Sequence, residues 1–399
     1  MLRDYSPFTP GHPLPPSLFA GRQQEVEALL DSCRHAKHTG RIGRSYIEGE
    51  RGIGKSSLAA LVRELADREF QMLTVHVHLG GARNLDEMAR RIFKDLAEAS
   101  QNRPWHAKLT KALGSRLKSV GLFGTRVEFH ATKEELTSLW QNLAAELGGL
   151  LELLKDQREG VLLILDDING LADTPEFADW LKSFVDGIAT GGKPLPLHLM
   201  LVSLPERRQQ IVEHNPSLNR VFQIIEITPL SDEDTRQFVL GTLESVDMHI
   251  DEEALRLIVR FSGGYPAILQ EVADAAFKRT ESDRIGVIEA AEGIVDAAET
   301  IGRKYIKPEV LDAIQSSKYR SILSRVASLT TGESFARQEV LNQLDSSERK
   351  VFDNFIRRMR ELDVITQDER GVYRFRNELN RLYYMLAVRA EAAAERRTE

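Results

Sequence analysis

The feature that most constrains this chain is a glycine-rich motif, Gly49-Glu50-Arg51-Gly52-Ile53-Gly54-Lys55-Ser56, which fits the pattern G-x-x-x-x-G-K-[ST]. An apolar pair, Tyr46-Ile47, precedes the motif, and a helix-forming run, 57–66, follows it. Glycines let a backbone close around phosphate groups with its N–H groups pointing inward, and a helix N-terminus adds positive potential there. The order strand, loop, helix therefore predicts a phosphate-binding loop.

Individual residues of this loop have separable roles. Lys55 is expected to reach the β- and γ-phosphates of ATP, and the Ser56 hydroxyl is expected to bind Mg²⁺. The predicted phosphate-binding residues are Glu50, Arg51, Gly52, Ile53, Gly54, Lys55, Ser56 and Ser57.

A second motif supports the same chemistry. The continuous apolar run 161–165 predicts a buried parallel strand, and Asp166 and Asp167 follow at its carboxyl end. Ligands bind at that end of the strands in open α/β sheets. We expect Asp166 to hold the Mg²⁺ shell and Asp167 to orient or activate the attacking water. Taken alone, the pair would serve equally well to cap the next helix.

Composition limits the remaining classes of protein. The 399 residues predict two or three domains, and the net charge of −7 means that any contact with nucleic acid must come from local patches. The single cysteine, Cys33, allows no disulfide within the chain and suits a reducing cytoplasm. We expect a cytoplasmic protein without a signal peptide or a membrane-spanning segment.

The residues before the loop carry a resemblance to a known family. Residues 19–29 fit F-x-G-R-x-x-E-x-x-x-L, which resembles the entry to AAA+ and STAND-type ATPases of the initiator-like branch. In those families this segment wraps the adenine. The resemblance implies that Leu18, Phe19 and Arg22 line the base, although Phe19 is equally compatible with plain core packing.

The same resemblance implies further site residues. Ser203, at the end of the apolar strand 197–203, holds the place of a γ-phosphate sensor. Arg220, just before the strand 222–227, matches an arginine that reaches the nucleotide of a neighbouring subunit, with Arg207 and Arg208 as alternatives. Pro266, in a G-G-x-P turn, would approach the adenine and ribose. Residues 266–276 contain no arginine, so the lid is more similar to those of STAND proteins.

Two segments keep alternative interpretations. Residues 103–133 carry seven basic side chains against one glutamate and predict a basic helix followed by a hairpin near 120–129. This segment either contacts nucleic acid or a partner subunit, or is an ordinary solvated face. His76 and His78 share one face of the strand 72–79, but no carboxylate or third histidine follows at metal-binding spacing, so a half-exposed strand face is favoured.

The predicted fold class is α/β, a P-loop NTPase with a parallel sheet, a helical lid and a C-terminal winged-helix domain. The predicted segments are an extended leader (1–17), the ATPase core with its basic insertion (18–229), the lid and connector (230–304), the winged-helix-like domain (305–388) and a charged tail (389–399). One long helix is expected over 133–157. Three arginines, Arg357, Arg358 and Arg360, would lie on the third helix of the winged domain, where a DNA-reading helix sits.

The resemblance implies an ATP-dependent assembly switch that uses ATP and Mg²⁺ and forms a homo-oligomer. Hydrolysis should be slow, because Asp167 stands where AAA+ proteins usually have the longer glutamate. Two versions stay open: an ATPase that associates with double-stranded DNA, and a protein-interaction switch in signalling or phage defence that works with a separate effector polypeptide.

Overall fold

The computed structural model describes residues 5–12, 21–101, 103–114, 117–120, 126–329 and 334–387. The chain forms two compact units: Arg22–Thr228, and Pro229–Glu399 together with Met1–Gly21. No helix in these described ranges is both long and apolar enough to cross a lipid bilayer.

The first unit is built on a five-stranded parallel sheet. Its strands are β1 (Gly43–Gly49), β2 (Met72–His78), β5 (Gly160–Asp166), β6 (Leu197–Ser203) and β7 (Gln223–Ile227), in the order β2-β5-β6-β1-β7. Every residue of β5 and β6 is buried, as expected of parallel strands covered on both faces. This order places the carboxyl ends of β1, β5 and β6 side by side.

The α-helices seen in the described residues of this unit are α1 (Gln23–Thr39), α2 (Lys55–Phe70), α3 (Leu85–Ser100), α4 (His106–Leu113), α5 (Lys133–Gln141), α6 (Leu143–Leu153), α7 (Pro175–Thr190) and α8 (Pro205–His214). The expectation of one helix over 133–157 was wrong. The helix breaks at Asn142, where ψ is 20°, and ends before the turn at 154–157. The predicted hairpin is present as β3 (Leu117–Val120) and β4 (Arg126–Phe129), with Leu117 opposite Phe129.

The second unit contains α9 (Asp232–Glu244), α10 (Glu252–Ser262), α11 (Pro266–Arg279) and α12 (Val287–Ile301), followed by a π-helical segment, Gly302–Leu311. Two short strands, β8 (His249–Ile250) and β9 (Arg284–Ile285), pair in parallel. Side-chain capping fixes the start of α9, because the Ser231 hydroxyl accepts a hydrogen bond from the Asp234 N–H.

The same unit ends in helices around a small antiparallel sheet. The helices are α13 (Ser317–Leu329), α14 (Arg337–Gln343), α15 (Ser346–Arg349), α16 (Phe352–Glu361) and α17 (378–387). The strands are β10 (Ser334–Ala336), β11 (Ile365–Glu369) and β12 (Val372–Phe375), in the order β10-β12-β11. Helices α9–α12 and these later elements contribute to one hydrophobic core, which also includes Phe8 from the N-terminal segment.

Candidate functional site

The glycine-rich motif forms the loop between β1 and α2. Gly52 and Gly54 have φ of 77° and 99°, a left-handed conformation that side chains rarely tolerate. Gly54 caps α2 without any side-chain hydrogen bond, so the first N–H groups of the helix stay available to an anion. Ile53, within the loop, has a buried side chain. The predicted strand–loop–helix arrangement is therefore present.

Lys55, the first residue of α2, folds back over this loop. Its ammonium donates to the carbonyl oxygens of Gly49 at 2.8 Å and Glu50 at 2.7 Å. Burial lowers the pKa of Lys55, and the nearby carboxylates of Asp166 and Asp167 oppose that change. A phosphate group would offer the ammonium a charged acceptor, which binds more strongly than neutral carbonyls.

Asp166, the last residue of β5, has side-chain contacts with two histidines of strand β2 and with Ser56 of the phosphate loop. Its side chain is 2% exposed, and its Oδ2 lies 2.9 Å from His76 Nε2 and 3.4 Å from His78 Nδ1. Burial alone would raise the pKa of Asp166, but hydrogen bonds from His76 and from Ser56 outweigh it, so the pKa lies below its usual value. Asp166 is thus a carboxylate next to the Ser56 hydroxyl, and both are oxygen ligands of the kind that Mg²⁺ prefers.

The backbone conformation of Asp167, one hydrogen bond and the space at Gly80 together determine where its carboxylate lies. Its backbone is left-handed, with φ 57° and ψ 51°, and its Oδ1 accepts a hydrogen bond from the Asn169 side chain. The side-chain Oδ1 of Asn169 in turn accepts a hydrogen bond from the Leu204 N–H at 3.4 Å. Gly80 leaves room on the other side, since a Cβ there would lie 2.6 Å from Asp167 Oδ2.

Sequence reasoning missed Asn169 and Gly80 as supports of this carboxylate. The available signals were weak: Gly80 follows the strand 72–79, and Asn169 lies two residues beyond the Asp pair. Gly80 and Asn169 come close to the Asp167 carboxylate only because β2, β5 and β6 are neighbouring strands in the folded sheet.

Ser203 lies at the end of β6, beside the carboxyl ends of β5 and β1. Its hydroxyl is 2.7 Å from Tyr46 Oη and donates to the Leu204 carbonyl at 2.9 Å. The residue is 1% exposed. Contact between this hydroxyl and a phosphate would require a rearrangement, and the sensor role stays a prediction.

The three candidate arginines differ in their partners. Arg207 pairs with Asp173, and Arg208 pairs with Glu48 at 2.5 Å. Arg220 ends a short 3₁₀ helix, Pro216–Arg220, and is exposed. Across the described parts of the chain, Arg220 forms no ion pair.

The predicted adenine-contacting residues have different outcomes. Leu18 and Phe19 lie outside the described residues. Arg22 donates to the Thr228 carbonyl and to Glu25 Oε1, and its side chain is 9% exposed. Pro266 begins α11 in the second unit, so its approach to a nucleotide stays a prediction.

The sheet order, this loop and the carboxylate pair together define the class of fold: a P-loop fold of the AAA+ type. Residues 18–200 match the family model described as AAA ATPase domain. A search among curated proteins found no match.

Solved structures agree on the fold over nearly the whole chain. The ORC2 protein of Aeropyrum pernix in ADPNP–ADP complexes is 14% identical, with a TM-score of 0.59 and coverage of 97% of this chain and 96% of that one. The Walker-type ATPase paby2304 of Pyrococcus abyssi is also 14% identical, with a TM-score of 0.53 and coverage of 92% and 96%. The chain therefore contains an AAA ATPase domain and has the fold of archaeal initiator-type AAA+ proteins.

Proposed function

We propose that this protein binds ATP with Mg²⁺, hydrolyses it slowly and uses the nucleotide to switch its own assembly in association with double-stranded DNA. The proposal rests on one observation: Lys55, Ser56, Asp166 and Asp167 lie close together at the carboxyl ends of the central strands. Ser56 and Asp166 would hold Mg²⁺, which would neutralise charge on the phosphates. Residues 50–57 would wrap the phosphates, and Leu18, Phe19, Arg22 and Pro266 would contact the base and ribose.

Slow turnover follows from the carboxylate that would face the attacking water. Asp167 is one methylene shorter than the glutamate usual in AAA+ proteins, so it reaches less far. Its hydrogen bond with Asn169 holds one oxygen, which leaves the other to orient water. Ser203 would act as the γ-phosphate sensor after its hydroxyl leaves Tyr46.

Two substitutions separate binding from turnover. Lys55→Ala should abolish ATP binding measured by calorimetry, whereas Asp167→Ala should retain binding and lose phosphate release. Lys193→Ala, an exposed lysine in a loop, is the matched control and should change neither. Wild-type ATP turnover in both Lys55→Ala and Asp167→Ala would refute this site.

Assembly would complete the site through Arg220. Its guanidinium is exposed and forms no ion pair among the described residues, so it is suited to stabilise charge on a neighbour's transferred phosphoryl group, a role worth large rate factors in related chemistry. Arg220→Ala chains and Lys55→Ala chains should each be inactive alone. Mixed together, they should regain part of the activity, because some interfaces then join an intact loop to an intact arginine. A mixture as inactive as its components would refute action in trans.

Exposed basic residues on two elements support DNA association. Arg357 and Arg360 are exposed on α16, which follows α13, α14 and the one-turn helix α15 in the C-terminal helices-and-sheet module. We interpret this module as a winged helix. In the basic segment, Lys108 and Lys111 are exposed on α4. Because phosphate contacts release counterions, binding through such residues weakens steeply with salt.

The test is size-exclusion chromatography with light scattering, using ADP or ADPNP, each with and without a DNA duplex. We expect ADPNP to drive assembly and DNA to join the assembled peak at low but not at high salt. Arg357→Ala combined with Arg360→Ala should reduce the DNA fraction without changing assembly. A protein that assembles but ignores DNA would instead favour the alternative, a switch that contacts a separate effector protein.

A further inference from the structure

Strands β2 and β5 bring together two histidines that the phosphate site does not account for, His76 and His78, and Asp166, which that site shares. His76 and His78 lie two residues apart on β2, so both project from the same face of the sheet. The parallel register pairs His78 with Asp166 on β5. One ligand atom from each of these residues lies within 4.8 Å of the others. The carboxylate that sequence spacing did not reveal is thus supplied by the neighbouring strand.

We propose that His76, His78 and Asp166 bind a divalent transition-metal ion of the Zn²⁺ type. The ligand atoms would be His76 Nε2, His78 Nδ1 and Asp166 Oδ2. The carboxylate oxygen lies 2.9 Å from the first nitrogen and 3.4 Å from the second. Ligands at about 2.0–2.1 Å in a tetrahedral shell are separated by about 3.3 Å. The two separations to Asp166 lie within 0.4 Å of this value, and the two imidazole nitrogens lie within 4.8 Å of each other.

The ligand set distinguishes this ion from the Mg²⁺ of a bound nucleotide. Two imidazole nitrogens and one carboxylate suit Zn²⁺, Co²⁺ or Ni²⁺, whereas Mg²⁺ takes oxygen ligands. Three protein ligands leave a fourth position for water, as in zinc sites that keep an open position. That position has access to solvent, because both histidines line a cleft of about 520 Å³, and the His78 side chain is 65% exposed.

Charged side chains around the cleft favour a cation near the histidines. Asp95 and Glu98 of α3 line it together with Glu64 and Asp67 of α2. Of the arginines that also line it, Arg103 and Arg158 both pair with Asp67. Arg63 also lines the cleft, and Glu98 pairs with Lys94 at 3.5 Å. Asp95 is therefore the carboxylate that supplies negative potential on the α3 side.

Metal binding can be measured without nucleotide. Metal-free protein is titrated with Zn²⁺ in competition with a chromophoric chelator, and the ligands are counted by X-ray absorption spectroscopy. We expect about one Zn²⁺ per chain with two imidazole ligands. His78→Ala should weaken binding at least tenfold, since even the loss of a partner outside the ligand shell costs about 10- to 100-fold. His38→Ala, an exposed histidine on α1, is the matched control.

Equal Zn²⁺ affinity in wild type, His78→Ala and His38→Ala would overturn the site, as would the absence of binding in the wild type. His76→Gln provides a second variant, and it is judged only if its circular dichroism matches the wild type, because His76 is buried. Loss of Zn²⁺ binding in both folded variants supports the site.

A second arm rests on the proposed function, because Asp166 would serve both ions. Zn²⁺ should then inhibit Mg²⁺-dependent ATP hydrolysis in the wild type, and a higher Zn²⁺ concentration should be needed for His78→Ala. Zn²⁺ bound at the cluster without inhibition would refute the shared carboxylate. If Lys55→Ala proves neutral while Zn²⁺ binding still depends on His78, the proposed ATP site fails and the metal site stands.

Discussion

Gly80 offers a sharp test of how Asp167 acts. A methyl group at Gly80 would place a Cβ 2.6 Å from Asp167 Oδ2. Real Cβ contacts are essentially never shorter than 3.0 Å and ordinary contact begins at 3.4 Å, so the oxygen must move by about 0.4 to 0.8 Å. The backbone at Gly80 is not in the left-handed region, so alanine itself is tolerated there. The substitution therefore displaces one carboxylate and leaves the phosphate loop intact.

The expected effect falls on turnover. Misplacing a reacting group by about 1 Å can cost about 100-fold in rate, so Gly80→Ala should lower kcat by about 10- to 100-fold. ATP affinity should stay unchanged, because Lys55 and the loop make no contact with the new methyl group. Steady-state phosphate release and calorimetric ATP binding measure the two quantities separately.

The control is Gly187→Ala. Gly187 lies in α7, and a Cβ there would meet nothing within 4 Å, so its turnover should match the wild type. A Gly80→Ala protein with wild-type kcat would refute the argument that the position of this carboxylate limits hydrolysis. A large loss of ATP affinity would instead mean that the change spreads to the loop.

Three further predictions concern stability and reactivity. Gly293→Ala should lower the free energy of unfolding by about 1–3 kcal/mol, because its Cβ would lie 2.4 Å from the backbone nitrogen of Ala276; Gly241→Ala, with open space around it, should raise that free energy by about 1 kcal/mol. Burial lowers the pKa of His198 to about 4, whereas the unfolded chain takes up this proton near pH 6.5. The urea-measured stability should therefore fall by about 2 kcal/mol from pH 7 to pH 5 through this residue, and His198→Leu should remove that part of the fall. Burial raises the pKa of the Cys33 thiol to about 12, so a thiol reagent should react with it at pH 8 only after unfolding.

Local patterns predicted much of the fold, because the relevant signals are short-range. The continuous apolar run before Asp166 and the run ending at Ser203 needed only burial to become parallel strands, and both are present. The phosphate loop was predictable because its glycines, lysine and serine all lie within eight residues of the chain, 49–56. The predicted helix over 133–157 joined two helices and ran past the end of the second. The sequence around Asn142 contains no glycine or proline that would indicate the break between them.

The parts of the site that escaped prediction depend on contacts between strands. His76 and His78 were correctly placed on one strand face, but Asp166 is 90 residues further along the chain than His76. Asn169 likewise acts across the sheet, through the Leu204 N–H at the end of β6. Register and strand order determine these contacts, and neither can be read from spacing along one segment.

Packing within the second unit limits where the chain could hinge if the proposed nucleotide switch operates. At the junction of α12 and the π-helical segment, a Cβ on Gly302 would lie 2.1 Å from the Tyr383 ring, so the two surfaces are in close contact. Helices α9–α12 share their core with the C-terminal module, and a hinge at Gly302 would break it. We therefore expect this unit to move as one body when ATP replaces ADP.

Spin labels can test this rigidity. Arg256→Cys on α10 and Arg370→Cys beside β12 are both exposed, while the buried Cys33 should stay unlabelled. The distance distribution between the two labels, measured by double electron–electron resonance, should be the same with ADP and with ADPNP. A nucleotide-dependent shift between these labels would mean that the lid and the C-terminal module hinge against each other, and that the shared core does not act as one body.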